Sequence, residues 1–266
     1  MMKRSILSAL CLVASFGTAA SQTVESLVQA EVLPGWRDGG THMAAIRLQL
    51  APGWKTYWRA PGDAGIPPRF DWTQSTNISG VGVHWPIPMI FYENGYRSVG
   101  YGGQVTIPLE LAVSDQQAPV SLNARMEIGI CEDVCIPVTL SLQGQLAATS
   151  APSAEIKAAL AERPMTARQA SVGRVVCTTE PIRDGLRLSL AIDMPRLAQN
   201  EELVVELRDP SIWVSEPKTK RAGDQVTAVA ELVPPDAKPF AMARQDVRIT
   251  VLGGGRAVDI RGCTGG

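Results

Sequence analysis

The sequence predicts an all-β chain of two immunoglobulin-like antiparallel β-sandwich domains joined by a short helical linker. Three observations predict the two sandwiches and the linker. Apolar residues recur at every second position through most of the chain. Clusters of Gly, Pro, Asn and Asp cut these alternating runs into short pieces, as they do between the strands of a sandwich. One alanine-rich stretch near the middle carries helix signals instead.

The alternation is explicit in the first half. In "MAAIRLQL", Ile46, Leu48 and Leu50 share one face while Arg47 and Gln49 take the other. "VGVHWPIP" groups Val81, Val83 and Trp85, and "QVTIPLEL" groups Val105, Ile107, Leu109 and Leu111. Residues 21–148 are read as one sandwich. Composition then shifts: "ATSAPSAEIKAALAERP" offers Ser153 as N-cap, alanines to propagate a helix and Pro164 to stop it. A helix is expected over residues 154–163, inside a linker at 149–171. Alternation resumes in "GLRLSLAI", on Leu186, Leu188 and Leu190, and in "QVTAVAEL" and "DVRITVL"; "LGGGR" turns the chain before "AVDI". Residues 172–266 are read as a second, smaller sandwich.

An export signal precedes both. Lys3 and Arg4, the apolar run Ile6 to Phe16 and the small residues Gly17 to Ala20 follow the order of a secretory signal peptide. That run is shorter than the ~20 apolar residues of a membrane span. Cleavage is expected after Ala20, removing residues 1–20 and Cys11 with them, and nothing after residue 21 reads as a membrane segment. The formal net charge is −1 and no Lys/Arg run occurs, so nucleic acid is not an expected partner. Only two histidines, His42 and His84, are available to a Ser/His/Asp or Cys/His constellation. No small-molecule cofactor and no resident metal is expected.

The chemistry concentrates in cysteines. Four remain after the cut, an even count that suggests two disulfides in an exported protein. Cys177 and Cys263 begin and end the second domain, and closing that loop would contribute about 4–5 kcal/mol by chain entropy. They are read as a structural disulfide, with a second redox pair as the remote alternative. The other two stand in "GICEDVCIP". On both sides of it the even positions are apolar: Val120, Leu122, Ala124, Met126, Ile128 and Ile130, then Ile136, Val138, Leu140 and Leu142. Cys131 and Cys135 are odd, so both point away from the core if the pleat persists past Gly129, where a bulge would break it.

Three intervening residues make a short hairpin loop, which sets the flanking Cα atoms roughly 4.5–5.5 Å apart. A disulfide accepts about 4.4–6.8 Å. So small a loop adds little stability when closed, which favours a redox couple. A structural hairpin disulfide and a metal clip remain open: C-x3-C can hold soft Cu(I), with Met43, Met89, Met126 or His84 to complete a site. Glu132 and Asp133 between the thiols disfavour thiolate and raise thiol pKa. Strong oxidants owe their potential to a stabilised reduced form. The pair is therefore expected to be reducing, unless Arg59, Arg69 or Arg97 folds over it. Trp54, Tyr57, Trp58, Trp72 and Trp85 are read as sandwich packing, against the alternative of a sugar-binding platform.

Three stretches carry a resemblance: "LAPGWKTYWRAPGDAGIPPRFDW" (Leu50 to Trp72), "YRSVGYGGQVTIPLEL" (Tyr96 to Leu111) and "ICEDVCIP". Together they resemble the N-terminal periplasmic domain of the DsbD family, and within it the ScsB-type copper-tolerance branch. The likeness covers roughly residues 24–146; the second domain is similar to that branch only loosely. It implies an immunoglobulin-like fold, a periplasmic location and a cysteine pair that takes electrons from a membrane-embedded thiol donor and reduces periplasmic thioredoxin-like proteins. Here three residues separate the cysteines, fewer than in the best-known members, and no transmembrane module follows, so the donor is expected to be a separate protein. "IFYENGYRSVGY" resembles the family's cap loop, which implies that Phe91 and Tyr92, with Tyr96 and Tyr101, cover the cysteines. The resemblance also makes Cys135 the sulfur that joins partners and Cys131 the resolving one. The expected function is thiol–disulfide interchange; the alternative is a non-catalytic Cu(I)-binding or assembly module whose hairpin disulfide is structural.

Overall fold

Apolar alternation in the sequence becomes alternation in burial. The computed structural model describes residues 23–62, 65–93, 95–149 and 151–265; the expected signal peptide lies outside them. A single helical turn, α1 (Val24–Leu27), leads into β1 (Val28–Asp38), β2 (Thr41–Leu50), β3 (Lys55–Tyr57), β4 (Arg69–Asp71) and β5 (Ile78–Val83). β6 (Met89–Glu93), β7 (Tyr96–Gly102), β8 (Gln104–Val113), β9 (Val120–Cys131) and β10 (Cys135–Leu146) follow. Helix α2 (Ala154–Ala161) separates these from β11 (Met165–Thr166), β12 (Val175–Ile182), β13 (Gly185–Asp193), β14 (Glu202–Leu207) and β15 (Trp213–Val214). The chain closes with β16 (Lys218–Ala222), β17 (Gln225–Val233), β18 (Val247–Gly253) and β19 (Arg256–Arg261).

Four sheets result, in two immunoglobulin-like sandwiches. The first pairs the order β1-β2-β8-β5 with β10-β9-β3-β7-β6, β4 adding to β9. Ile46, Leu48 and Leu109 from one sheet meet Leu122, Met126 and Ile130 from the other in its core. The second pairs β11-β19-β18-β14 with β12-β13-β17-β15, β16 adding to β17, around Leu188, Leu190, Ile249 and Val251. β11 runs parallel to β19; the other paired strands among the described residues are antiparallel.

Helix α2 is capped as its sequence demands: the Ser153 hydroxyl accepts from the Ile156 N–H at 3.3 Å. Ile156 buries against Leu33 and Ala45, on the outer face of the β2 sheet. Glu155 fixes it there, accepting from Arg47 at 2.9 Å and from Thr106 at 2.7 Å. Among the described residues no helix is long and apolar enough to cross a membrane.

The β14–β18–β19 sheet is buried on both faces. Leu203, Val205, Ile249 and Val258 point into the second core, while Val204, Leu252 and Ala257 join the first. That is why "ELVVEL" reads as an apolar run instead of an alternation. Charges are buried in the same interface as ion pairs. Arg59 stacks on the Trp58 ring at 3.7 Å and grips Glu206 with two bonds, Nε to Oε1 at 3.0 Å and Nη2 to Oε2 at 2.9 Å. Arg97 donates to Glu202 at 2.7 Å and to the Leu203 carbonyl at 3.2 Å.

Cys177 and Cys263 form a disulfide with Cα atoms 5.7 Å apart, tying the first strand of one sheet to the segment that leaves β19 in the other. Its closed loop spans a sequence separation of 86, so its loss frees much of the second sandwich in the unfolded chain. Replacing both cysteines with Ala is expected to lower stability by about 4 kcal/mol. Denaturant unfolding followed at Trp213 measures this, and an unchanged midpoint would show that packing alone holds the sandwich.

Candidate redox site

β9 and β10 pair without a shift along their whole lengths, with Cys131 opposite Cys135. The pleat therefore persists through Gly129, and both cysteines leave the core side. On its other edge β9 pairs with β3, setting Lys55 beside Cys131; β3 in turn sets Lys55 beside Gly102 and Tyr57 beside Gly100 of β7. Gly102, Lys55, Cys131 and Cys135 are thus successive partners across four strands and share one face. A disulfide joins Cys131 and Cys135, whose Cα atoms lie 4.2 Å apart.

The two cysteine residues differ in access. Cys131 is 1 % exposed, while Cys135 lies open to solvent. Tyr57, two residues along β3 from Lys55 and on the same face, lies across both. Its hydroxyl donates to Cys131 Sγ at 2.8 Å and stands 3.2 Å from Cys135 Sγ. Burial pushes the Tyr57 phenol up, so it remains a protonated donor at neutral pH. Gly129 makes room for it: a Cβ there would stand 3.1 Å from Tyr57 Cε2 and 2.8 Å from Ile66 Cβ. Lys55 is also buried; burial pulls its ammonium pKa down, and Glu93 supplies its counter-ion. The Lys55 Nζ lies 5.4 Å from the centre of the Phe91 ring.

Glu132 and Asp133 stand exposed in the turn between the cysteines, as their position requires. Arg59 and Arg97 turn to the second sandwich, and Arg69 pairs in register with Glu127, four residues before Cys131. The cation next to the pair is Lys55. The β6–β7 hairpin divides the four aromatic candidates by alternation. Phe91 and Tyr96 stand on the cysteine face, Phe91 over Lys55 and Tyr96 exposed near the hairpin end. Tyr92 stands on the opposite face, where burial and the nearby Glu202 carboxylate push its phenol up to about 12. Tyr101 lies in the core and donates to the Pro86 carbonyl at 2.8 Å.

Residues 23–146 match the family described as "Thiol:disulfide interchange protein DsbD, N-terminal". The first sandwich is a DsbD-type N-terminal domain. The likeness in fold extends further. The crystal structure of the N-terminal periplasmic domain of ScsB from Proteus mirabilis is similar over 90 % of this chain and 92 % of its own, at 23 % identity and a TM-score of 0.67. A marsupial T cell receptor (12 % identity, 90 % of this chain and 63 % of that one) reaches a TM-score of only 0.18, and no argument rests on it. No curated protein matches the chain.

Within the DsbD-type domain the copper-ligand candidates are spread out. Met126 is buried in the core, His84 is engaged by Glu110 and Arg163, and Met43 belongs to the other sheet; Met89 alone shares the cysteine face. Sequence reasoning missed Tyr57 and Lys55. The signal available was the glycines: Gly100, Gly102 and Gly129 sit inside strands, where glycine marks a close approach by something else. Gly129→Val is expected to force Tyr57 and Ile66 aside and to destabilise the DsbD-type domain by about 1–3 kcal/mol. Chemical denaturation measures this; an unchanged midpoint would mean that the space above Gly129 is not filled in solution.

Proposed function

We propose that this chain is a periplasmic thiol–disulfide interchange protein, passing reducing equivalents from a membrane-embedded thiol donor to thioredoxin-like clients through Cys131 and Cys135. The reading rests on the family of the first sandwich and on one observation: an exposed cysteine bonded to a buried one whose sulfur already accepts a hydrogen bond. Cys135 is the sulfur a partner can reach, and Cys131 is the one held for resolution.

In loading, a donor thiolate attacks Cys135 Sγ. The Cys131–Cys135 bond breaks, and Cys131 leaves as a thiolate beside the Tyr57 hydroxyl, then takes a proton. The donor's second thiolate attacks its own sulfur in the mixed disulfide and expels Cys135. The donor departs as a disulfide and the chain holds two thiols. In delivery the Cys135 thiolate attacks a client disulfide, and one client sulfur leaves and is protonated. The Cys131 thiolate then attacks Cys135 Sγ and expels the second client sulfur. Two electrons and two protons reach the client, and the chain returns to its disulfide.

The asymmetry has a direct test in the protein's own host. Cys131→Ser keeps the attacking sulfur and removes the resolving one, so mixed disulfides accumulate; Cys135→Ser traps little. Acid quenching and non-reducing gels read the adducts. Equal trapping by both variants would remove the assignment, and no reductant-sensitive adduct from either would return the pair to a structural hairpin disulfide.

The second test is the potential. Glu132 and Asp133 flank the thiols, and the nearby Lys55 charge is paired with Glu93. The turn carboxylates work against thiolate, while the Tyr57 hydroxyl supports it at the buried Cys131, and the couple is expected well below the roughly −120 mV of a strong periplasmic oxidant. Equilibration in redox buffers measures it, and a value that high would overturn the donor role.

A further inference from the structure

We infer that the second sandwich holds the cover of Cys131 closed, with Glu202 as the positioning residue. This rests on the interchange reading and assigns a regulator of the same site. The β6–β7 hairpin is held on two faces. On one, Phe91 and Glu93 engage Lys55, the register neighbour of the buried Cys131. On the other, Tyr92 and Arg97 are direct partners across the hairpin, and Arg97 reaches Glu202. Arg97 Nε donates to Glu202 Oε2 at 2.7 Å, and Arg97 Nη2 donates to the Leu203 carbonyl at 3.2 Å.

Glu202 is fixed in place and cannot follow the hairpin. It opens β14, pairs with Leu252 of β18, and precedes Leu203 in the second core and Val204 in the first. The Arg97 side chain is 5 % exposed, so breaking its bond to Glu202 strands a buried cation, with Glu216 the next carboxylate at 4.0 Å. Phe91 and Tyr92 are adjacent and point to opposite faces, so Phe91 cannot leave Lys55 without pulling on Tyr92. The first sandwich supplies the thiols; the second supplies the carboxylate that sets how often Cys131 is uncovered.

The test needs no partner protein. In Cys135→Ser, with Cys177–Cys263 kept oxidised, Cys131 is the one free thiol of the mature chain, and its alkylation by iodoacetamide, read by mass spectrometry, reports uncovering. Adding Glu202→Ala is expected to speed alkylation about ten-fold, the shift that loss of one charge-assisted bond produces. Glu202→Gln, which keeps an acceptor for Arg97 but removes the charge, speeds it by a smaller factor. Phe91→Ala speeds it at least as much as Glu202→Ala. The acceleration is indifferent to low urea, since a local opening exposes little surface.

Alkylation that quickens with urea would mark general loosening of the fold and overturn the proposal, as would a Glu202→Gln rate above that of Glu202→Ala. Glu202→Ala at the parent rate with Phe91→Ala accelerated would overturn the anchor and leave the cover. Both at the parent rate would overturn the cover as well. Glu202→Gln keeps the side chain's size, and it keeps the test decisive if Glu202→Ala does not fold. Because trapping of partners is measured separately, failure of this inference and failure of the interchange reading give different results.

Discussion

The site depends on the register of β9. That strand is held on both edges, by β10 along its whole length and by β3 and β4 on the other side. Six apolar side chains at even positions, Val120 to Ile130, are locked in the core. A slip of one residue would turn them to the outside and turn the cysteines inward. At about 1.5–3 kcal/mol for each side chain lost from the core, the slip would cost on the order of 10 kcal/mol. That approaches the whole stability of a typical domain, about 5–15 kcal/mol. Ordinary core packing thus fixes which face the disulfide occupies, and Lys55, Tyr57 and Gly102 inherit that face through pairing.

Much of this was legible because period two leaves little freedom. The even-face core of β9 and β10, the outward direction of Cys131 and Cys135 and their opposition across a short turn all follow from counting residues. What was not legible depends on partners distant in sequence. β3 has only three residues, Lys55 to Tyr57, too few for a pattern, and it sits among Trp54 and Trp58, which are core. Tyr57 therefore reads as one more packing aromatic. The difference in exposure between the two cysteines is invisible to parity, since both share a face; it emerges only in the fold, where the Tyr57 hydroxyl lies against the buried Cys131. For the hairpin, resemblance grouped Phe91, Tyr92, Tyr96 and Tyr101, while alternation in "IFYENGYRSVGY" already divides them between two faces.

Charge at the site is a balance of exposed and buried groups. Glu132 and Asp133 are exposed in the turn, where water screens them. Lys55 is buried, so its charge acts through a less polarisable surrounding and weighs more per unit distance. A buried ammonium needs a partner, and Glu93 is that partner. With the pair intact Glu93 offsets that cation, and without Glu93 the cation would stand unpaired beside Cys131. The balance thus hangs on a residue of the hairpin and not on the cysteine loop alone.

The interface between the sandwiches shows why that hairpin has a defined place. Val204, Leu252 and Ala257 would suffice to make the two units adhere, but apolar contact is non-directional and tolerates sliding. Buried ion pairs are weak evidence for stability, because desolvation consumes most of the Coulombic gain. Burial indeed pulls the Arg59 guanidinium pKa down even with Glu206 beside it. What such pairs supply is geometry: the two-pronged bond of Arg59 to Glu206 and the bond of Arg97 to Glu202 are both satisfied at one position of β14 only. Three consecutive residues then tie the molecule together. Tyr57 addresses the sulfurs, Trp58 fills the first core, and Arg59 reaches the second sandwich. No one of the three can shift without moving the others, so the charges that cost stability at the interface also hold the phenol on the disulfide.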